Sequence, residues 1–175
     1  MKTLVVHASK YGSTERYAEW IGEALGASVM ADDEVSPEQL AAHETVAFCS
    51  AIYGPTLRGS RLLRRGMELF TDTRWVLMTV GLSDPALTTK RDELVAAKFP
   101  PDLRDRLVVA HVRGAMDRHR LSLVERSMMS AIRRGLAAKR SRTAEEQAML
   151  EALQPDRIDL TDRAAVAVVV DACLR

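Results

Sequence analysis

A compact apolar run, Leu4 to Ala8, gives way at once to a polar turn, Ser9-Lys10-Tyr11-Gly12-Ser13-Thr14. Tyr17, Trp20, Ile21, Ala24 and Leu25 then follow at the spacing of one helix face, ending near Gly26. A buried strand, a tight loop and an amphipathic helix in that order constrain the rest of the chain, because the strand needs a covered sheet around it. The alternation continues. Ala27 to Met30 reads as a second strand, Ser36-Pro37-Glu38 as the start of a short helix, and Thr45 to Cys49 as a third strand. Ser50 to Gly59 reads as a loop. Leu62, Leu63, Gly66, Met67 and Phe70 mark a helix, Trp75 to Val80 a fourth strand, Gly81-Leu82-Ser83-Asp84-Pro85 another loop, Leu87 to Ala97 a helix and Leu107 to Val112 a fifth strand. Strands alternating with helices predict an α/β chain built on a doubly wound parallel sheet, with ligands where loops leave the carboxyl ends of the strands.

Beyond Val112 the pattern changes. Leu121, Val124, Met128, Ile132 and Leu136 step by three or four residues, while Arg118, Arg120, Arg126, Arg133, Arg134, Lys139 and Arg140 supply the other faces. This predicts a basic amphipathic helix over 118–140, part of a helical insertion or extension at 117–153. A second short helix is expected from Ala144 to Leu153. Thr161-Asp162 caps a last helix through Leu174, chosen over the strand that Val166 to Val170 would favour by propensity, because the final crossover must cover the sheet. With 175 residues, the whole is expected to be one domain, residues 1–175.

The overall charge, 25 basic against 24 acidic residues, conceals a division: residues 1–57 carry net −5, 58–142 net +10 and 143–175 net −4. The positive middle suits an anionic partner: a membrane face with its quinone, a propionate-bearing tetrapyrrole or an acidic redox protein. It equally suits a solvated helix face whose Leu/Met stripe packs on the sheet. Nucleic acid is disfavoured, because no aromatic residues interleave the cations. Cys49 and Cys173 have no metal-ligand spacing and no framework to join, and Cys49 reads as a core residue. His7 and His111, both on strands, read as satisfied core histidines and His119 as solvated; no residue is assigned a catalytic role and no metal site is expected. With no secretory signal or transmembrane-length run, the chain is expected to be soluble and cytoplasmic, with peripheral membrane contact through 118–140 left open.

The loop Ser9–Thr14 carries the sharpest chemical signal. A phosphate at a helix N-terminus needs free backbone N–H groups, a small residue for close approach and donating hydroxyls, and Ser9, Gly12, Ser13 and Thr14 supply these. The hexapeptide also reads as an ordinary strand-to-helix turn with a hydroxyl cap. Neither the dinucleotide glycine fingerprint nor the P-loop motif is present, so the phosphate suits FMN better than NAD or ATP.

This loop, its place after the first strand, and Ser50-Ala51-Ile52-Tyr53-Gly54 resemble the flavodoxin family. Gly114, Asp117, Leu121, Glu125-Arg126, Met129, Ile132 and Arg134 are similar to the C-terminal signature of the branch that includes menaquinone-dependent protoporphyrinogen oxidases. The resemblance implies a five-stranded sheet of order 2-1-3-4-5 and FMN as cofactor. It implies that Ser9, Lys10, Tyr11, Gly12, Ser13 and Thr14 hold the phosphate. Ser50, Ala51, Ile52, Tyr53 and Gly54 would lie against the isoalloxazine, with Tyr53 or else Tyr11 stacking on it, and Gly81 and Leu82 would give backbone near its pyrimidine side. The activity implied is protoporphyrinogen oxidation with a quinone acceptor, or alternatively single-electron carriage between redox proteins. The chain departs from common flavodoxins in lacking an aromatic at 81–85, and from the oxidases in a longer segment from Ser141 to Leu160.

Overall fold

The structure is a computed structural model that describes residues 2–87 and 89–175; Met1, and Thr88 within the helix expected from Leu87, lie outside the described residues. Strands β1 (Thr3–Ala8), β2 (Ser28–Ala31), β3 (Thr45–Tyr53), β5 (Arg74–Gly81) and β6 (Leu107–Arg113) form a parallel sheet of order β2-β1-β3-β5-β6. The two-residue β4 (Thr56–Leu57) turns back antiparallel on the end of β3. With β4 set aside, this is the expected order 2-1-3-4-5.

Alternate residues of each strand point to opposite faces, and the two cores sort accordingly. Leu4, Val6, Phe48, Trp75 and Leu77 pack on one face against Leu40 of α2 (Pro37–Ala41), Leu63 and Met67 of α3 (Ser60–Leu69), Val95 of α4 (Thr89–Lys98) and Leu103 of the short α5 (Pro101–Arg104). Val5, Ala47, Cys49, Val76, Met78 and Ala110 pack on the other against Tyr17 and Ile21 of α1 (Ser13–Leu25), and Val169 and Cys173 of α8 (Ala167–Leu174). Both thiols are free and buried in this second core, where burial pushes each thiol's pKa up.

Local sequence explains the boundaries. Gly26 ends α1 in the left-handed region at φ 59°, which favours glycine. Ser36 and Gln39 cap α2 reciprocally, with Pro37 at its first turn. The last helix forms as expected, entered through one 3-10 turn at Arg163–Val166 that Asp162 caps. Tyr17 joins three elements: its buried hydroxyl donates to the Arg113 carbonyl at 2.8 Å and accepts from the Asp162 N–H at 2.9 Å. Tyr17→Phe leaves both backbone groups without that partner and lowers the unfolding free energy by about 1–3 kcal/mol, a loss measurable by urea titration.

Two expectations need correction, and one of two open alternatives drops out. Ser50 to Tyr53 continue β3 rather than forming a loop: Gly54 at φ 53° and Pro55 supply a tight turn, and the Ser50 hydroxyl braces it by donating to the Arg58 carbonyl at 2.6 Å. The helix expected over 118–140 is shorter, because Ser122 and Glu125 form a capping box that starts α6 (Leu123–Ala138) after one 3-10 turn at Arg118–Arg120. Its stripe also does not pack on the sheet. No residue of α6 is buried, and Leu123 and Val124 are 79% and 78% exposed. Instead α6 and α7 (Ala144–Ala152) form a hairpin whose base is a small ribbon, β7 (Ala115–Asp117) paired antiparallel with β8 (Arg157–Asp159).

Candidate functional site

The ends of β1, β3, β5 and β6 deliver four backbone segments to one edge of the sheet, beneath the α6–α7 hairpin. On the first, Gly12 takes φ 95°, its N–H donates to Ser9 Oγ at 3.2 Å, and α1 begins with no side-chain cap on its first-turn N–H groups. That end carries the positive pole of the helix dipole, with the hydroxyls of Ser13 and Thr14 beside it. Gly114, after β6, comes close enough that an added Cβ would lie 3.1 Å from Ser13 Oγ and 2.9 Å from Val80 Cγ1, and its N–H donates to the Gly81 carbonyl at 2.7 Å.

Lys10 and Tyr11 are turned toward α6. Lys10 Nζ donates to Glu125 Oε1 at 2.6 Å and the Tyr11 hydroxyl to Oε2 at 2.5 Å. The Ser122 hydroxyl adds a third bond at 2.7 Å, and Arg120 holds the Tyr11 carbonyl at 3.1 Å. Bonding first to Lys10, then to Tyr11 and Ser122, holds the Glu125 carboxyl down at about 2. Its folded-state value lies below the ordinary 4.5, so its stabilising contribution is complete above pH 4.5 and disappears as pH falls from there to about 2. Glu125→Gln flattens that part of the acid-unfolding curve, followed by circular dichroism. Sequence reasoning named the loop but not this tie; the Ser122-to-Glu125 spacing shows only the helix cap.

Tyr11 and Tyr53 meet edge to face, 5.8 Å between centroids and 74° between planes, so both candidates for stacking converge on one spot. Burial pushes the Tyr53 hydroxyl up to about 12. Behind the pair lies a small cavity of about 50 Å³ lined by Ser13, Thr14, Ala51, Gly81, Leu82 and Gly114 among others. Next to it opens a cavity of about 500 Å³, walled by Ile52 to Pro55 on one side and Gly81 to Ser83 on another. Met129, Ile132, Leu136, Met149 and Leu153 close it from the helical hairpin, with Lys90 and Arg91 among its polar lining. Ile132 and Leu136 of the α6 stripe, with Met129 beside them, thus line this cavity, while Val124 and Met128 of the same stripe are exposed. Ser50 lines neither cavity, since its hydroxyl is spent on the β3–β4 turn.

The two core histidines differ. His7 keeps a buried Nδ1 with no hydrogen-bond partner, against the expectation of a satisfied ring. His111 is satisfied on both nitrogens, by Thr79 Oγ1 at 2.8 Å and Ser83 Oγ at 3.1 Å. Among the described residues, no cluster of three or more His, Cys, Asp or Glu could hold a metal ion, and no helix is long and apolar enough to cross a membrane.

An uncapped helix N-terminus beside three hydroxyls, next to an apolar slot between two backbone turns, fits a ligand with a phosphate tail and a flat ring. Comparison with known proteins agrees. The family model described as flavodoxin domain matches residues 4–144, and the chain belongs to that family. FMN is the cofactor this membership brings, and the donor set of the first loop suits it. Among solved structures, the chain is similar to oxidised flavodoxin 1 from Bacillus cereus, with 16% identity over 65% of this chain and 84% of that one and a TM-score of 0.47. It is also similar to two-electron reduced Megasphaera elsdenii flavodoxin, with 13% identity over 86% and 97% of the two chains and a TM-score of 0.43. No curated protein matches the chain.

Proposed function

We propose that this chain is an FMN-dependent oxidoreductase that oxidises a reduced, largely apolar small molecule, with a protoporphyrinogen as donor and a quinone as acceptor. The observation that carries this reading is the cavity of about 500 Å³ beside the candidate flavin loops, closed from the hairpin by Met129, Ile132, Leu136, Met149 and Leu153, with Lys90 and Arg91 set against Glu93, Glu145 and Glu146 in its charged lining. A protein that only passes electrons to other proteins needs an exposed ring edge and no such chamber. In this reading Ser9, Gly12, Ser13 and Thr14 receive the phosphate, and Lys10 and Tyr11 close over it from their tie to Glu125. Tyr53 and Gly54 form one wall of the ring site, with Ile52 and Ala51 behind them, and the Gly81–Leu82 backbone forms the other. When bound, the flavin supplies hydride or single-electron transfer. The protein holds it and shields it with Met129, Ile132 and Met149, and the donor enters the chamber these residues wall. Residues 1–175 act as one domain whose insertion at 117–153 is the lid of this chamber.

The runner-up is a single-electron carrier. The exposed Leu123 and Val124 beside Arg126 favour it, since they offer a mixed apolar and basic face to an acidic redox protein or, with a quinone substrate, to a membrane surface. The deciding experiment loads the purified chain with FMN and measures menadione reduction with protoporphyrinogen as donor. Turnover supports the oxidoreductase. Bound FMN that exchanges single electrons with a reductase and gives no turnover selects the carrier, and a colourless chain that takes up no FMN sinks both.

A further inference from the structure

We infer that Ser83 and His111 form a proton relay at the wall of the large cavity, with Thr79 as the residue that sets the ring's orientation and tautomer. Donor accounting fixes the direction. The Thr79 hydroxyl has one hydrogen and donates it to the Ala110 carbonyl at 3.2 Å. Toward His111 Nδ1, 2.8 Å away, Thr79 can therefore only accept, so the hydrogen sits on Nδ1. The neutral ring then has a free electron pair on Nε2, and Ser83 Oγ, 3.1 Å away, donates to it. Ser83 also lines the cavity, beside Gly81 and Leu82.

A buried ring held in one tautomer, with its basic nitrogen reaching a cavity through a hydroxyl, is the arrangement that general-base catalysis needs. Burial, first, and then the cations Arg91 of α4 and Arg113 of β6 hold the ring's pKa below its ordinary value, against the backbones of Ser83 and Thr79, whose bonding to the protonated ring raises it. The ring thus stays unprotonated and ready to accept at neutral pH. Its purpose follows from the function proposed above, on which this inference rests. Oxidation of a donor H₂D to D by two electrons removes two hydrogens. A bound flavin would take one as hydride with both electrons; the other would leave as a proton onto Ser83 Oγ while the Ser83 hydrogen passes to His111 Nε2. The donor would lose two electrons to the bound flavin, and the second proton would rest on the His111 imidazole until solvent takes it.

The test pairs kinetics with a readout that needs no turnover. In ¹⁵N NMR of the FMN-free and FMN-loaded chain, His111 shows a protonated Nδ1 and an unprotonated Nε2, and Ser83→Ala moves the Nε2 resonance while leaving Nδ1–H in place. In the loaded enzyme, kcat falls at acid pH below the ordinary histidine range. Ser83→Ala and His111→Gln each lower kcat about 100-fold and remove that acid limb, with FMN affinity unchanged within two-fold; Ser83 is half-buried in a loop outside the core, so its variant removes one hydroxyl without opening the core. Thr79→Val, which frees the tautomer, lowers kcat about ten-fold or more. An Nε2–H ring overturns the relay, as do Ser83 and His111 variants that keep kcat within two-fold and retain the acid limb. If the loaded wild type turns over no donor, the oxidoreductase reading falls by itself. The relay is then judged on the ring, and a His111 resonance unmoved by Ser83→Ala overturns it.

Discussion

Trp75→Ala lowers the unfolding free energy by about 3–5 kcal/mol, the largest stability loss expected from a single truncation in this chain. The indole is 1% exposed and lies where β5 meets α2 and α3. Its fit is made by an absence: at Gly66 of α3, an added Cβ would stand 2.6 Å from Trp75 Cη2 and 3.3 Å from Leu40 Cδ1. The helix backbone therefore rests directly on the ring, and removing the ring leaves a void that a backbone cannot collapse to fill. Gly66→Ala makes the converse error and costs about 1–3 kcal/mol by overpacking. Chemical denaturation of the three proteins measures both losses. A Trp75→Ala midpoint within error of the wild type would show that the indole is not the keystone of that face.

Riboflavin binds at least about 100-fold more weakly than FMN, the largest effect expected on the ligand side. The two differ only in the phosphate, so the ratio isolates the first loop from the ring site. Each charge-assisted hydrogen bond to a phosphate oxygen is worth about 1.5–3 kcal/mol, and the uncapped start of α1 with Ser9, Ser13 and Thr14 offers several. Two such bonds already give about 100-fold. Flavin fluorescence quenching on titration with the protein measures both constants. Equal affinities would move the phosphate away from residues 9–14 and leave that stretch as an ordinary strand-to-helix turn.

What the sequence discloses and what it withholds divide along the range of the interactions. The helix end at Gly26 and the start at Ser36-Pro37 are local, each set by one residue's backbone freedom or one capping pair, and they lie where the residues indicate. The alternation of elements indicates a parallel sheet, and its strand order is the one the flavodoxin resemblance implies. By contrast, Ala115-Met116-Asp117 has no strand pattern of its own and becomes one only by pairing with Arg157–Asp159, a partner remote in sequence. The tie of Lys10 and Tyr11 to Glu125 is equally remote. The stripe of α6 was visible as a period of three and four, but periodicity states that a face is apolar and not what it faces. His111 shows the same limit: a histidine on a strand looks like core, and only the fold brings Ser83 to its other nitrogen.

The ribbon of β7 and β8 has a consequence for the chain's tolerance of change as well as its shape. Residues 118–156 leave the body at Asp117 and return at Arg157, two positions held in register. The entropic cost of closing that excursion is set at its neck and grows only slowly with its length. Residues can be gained or lost there without disturbing the crossover that carries the chain to α8. The excursion is a cartridge on a fixed mount, and a short reverse turn joining Asp117 to Arg157 would close the body in its place.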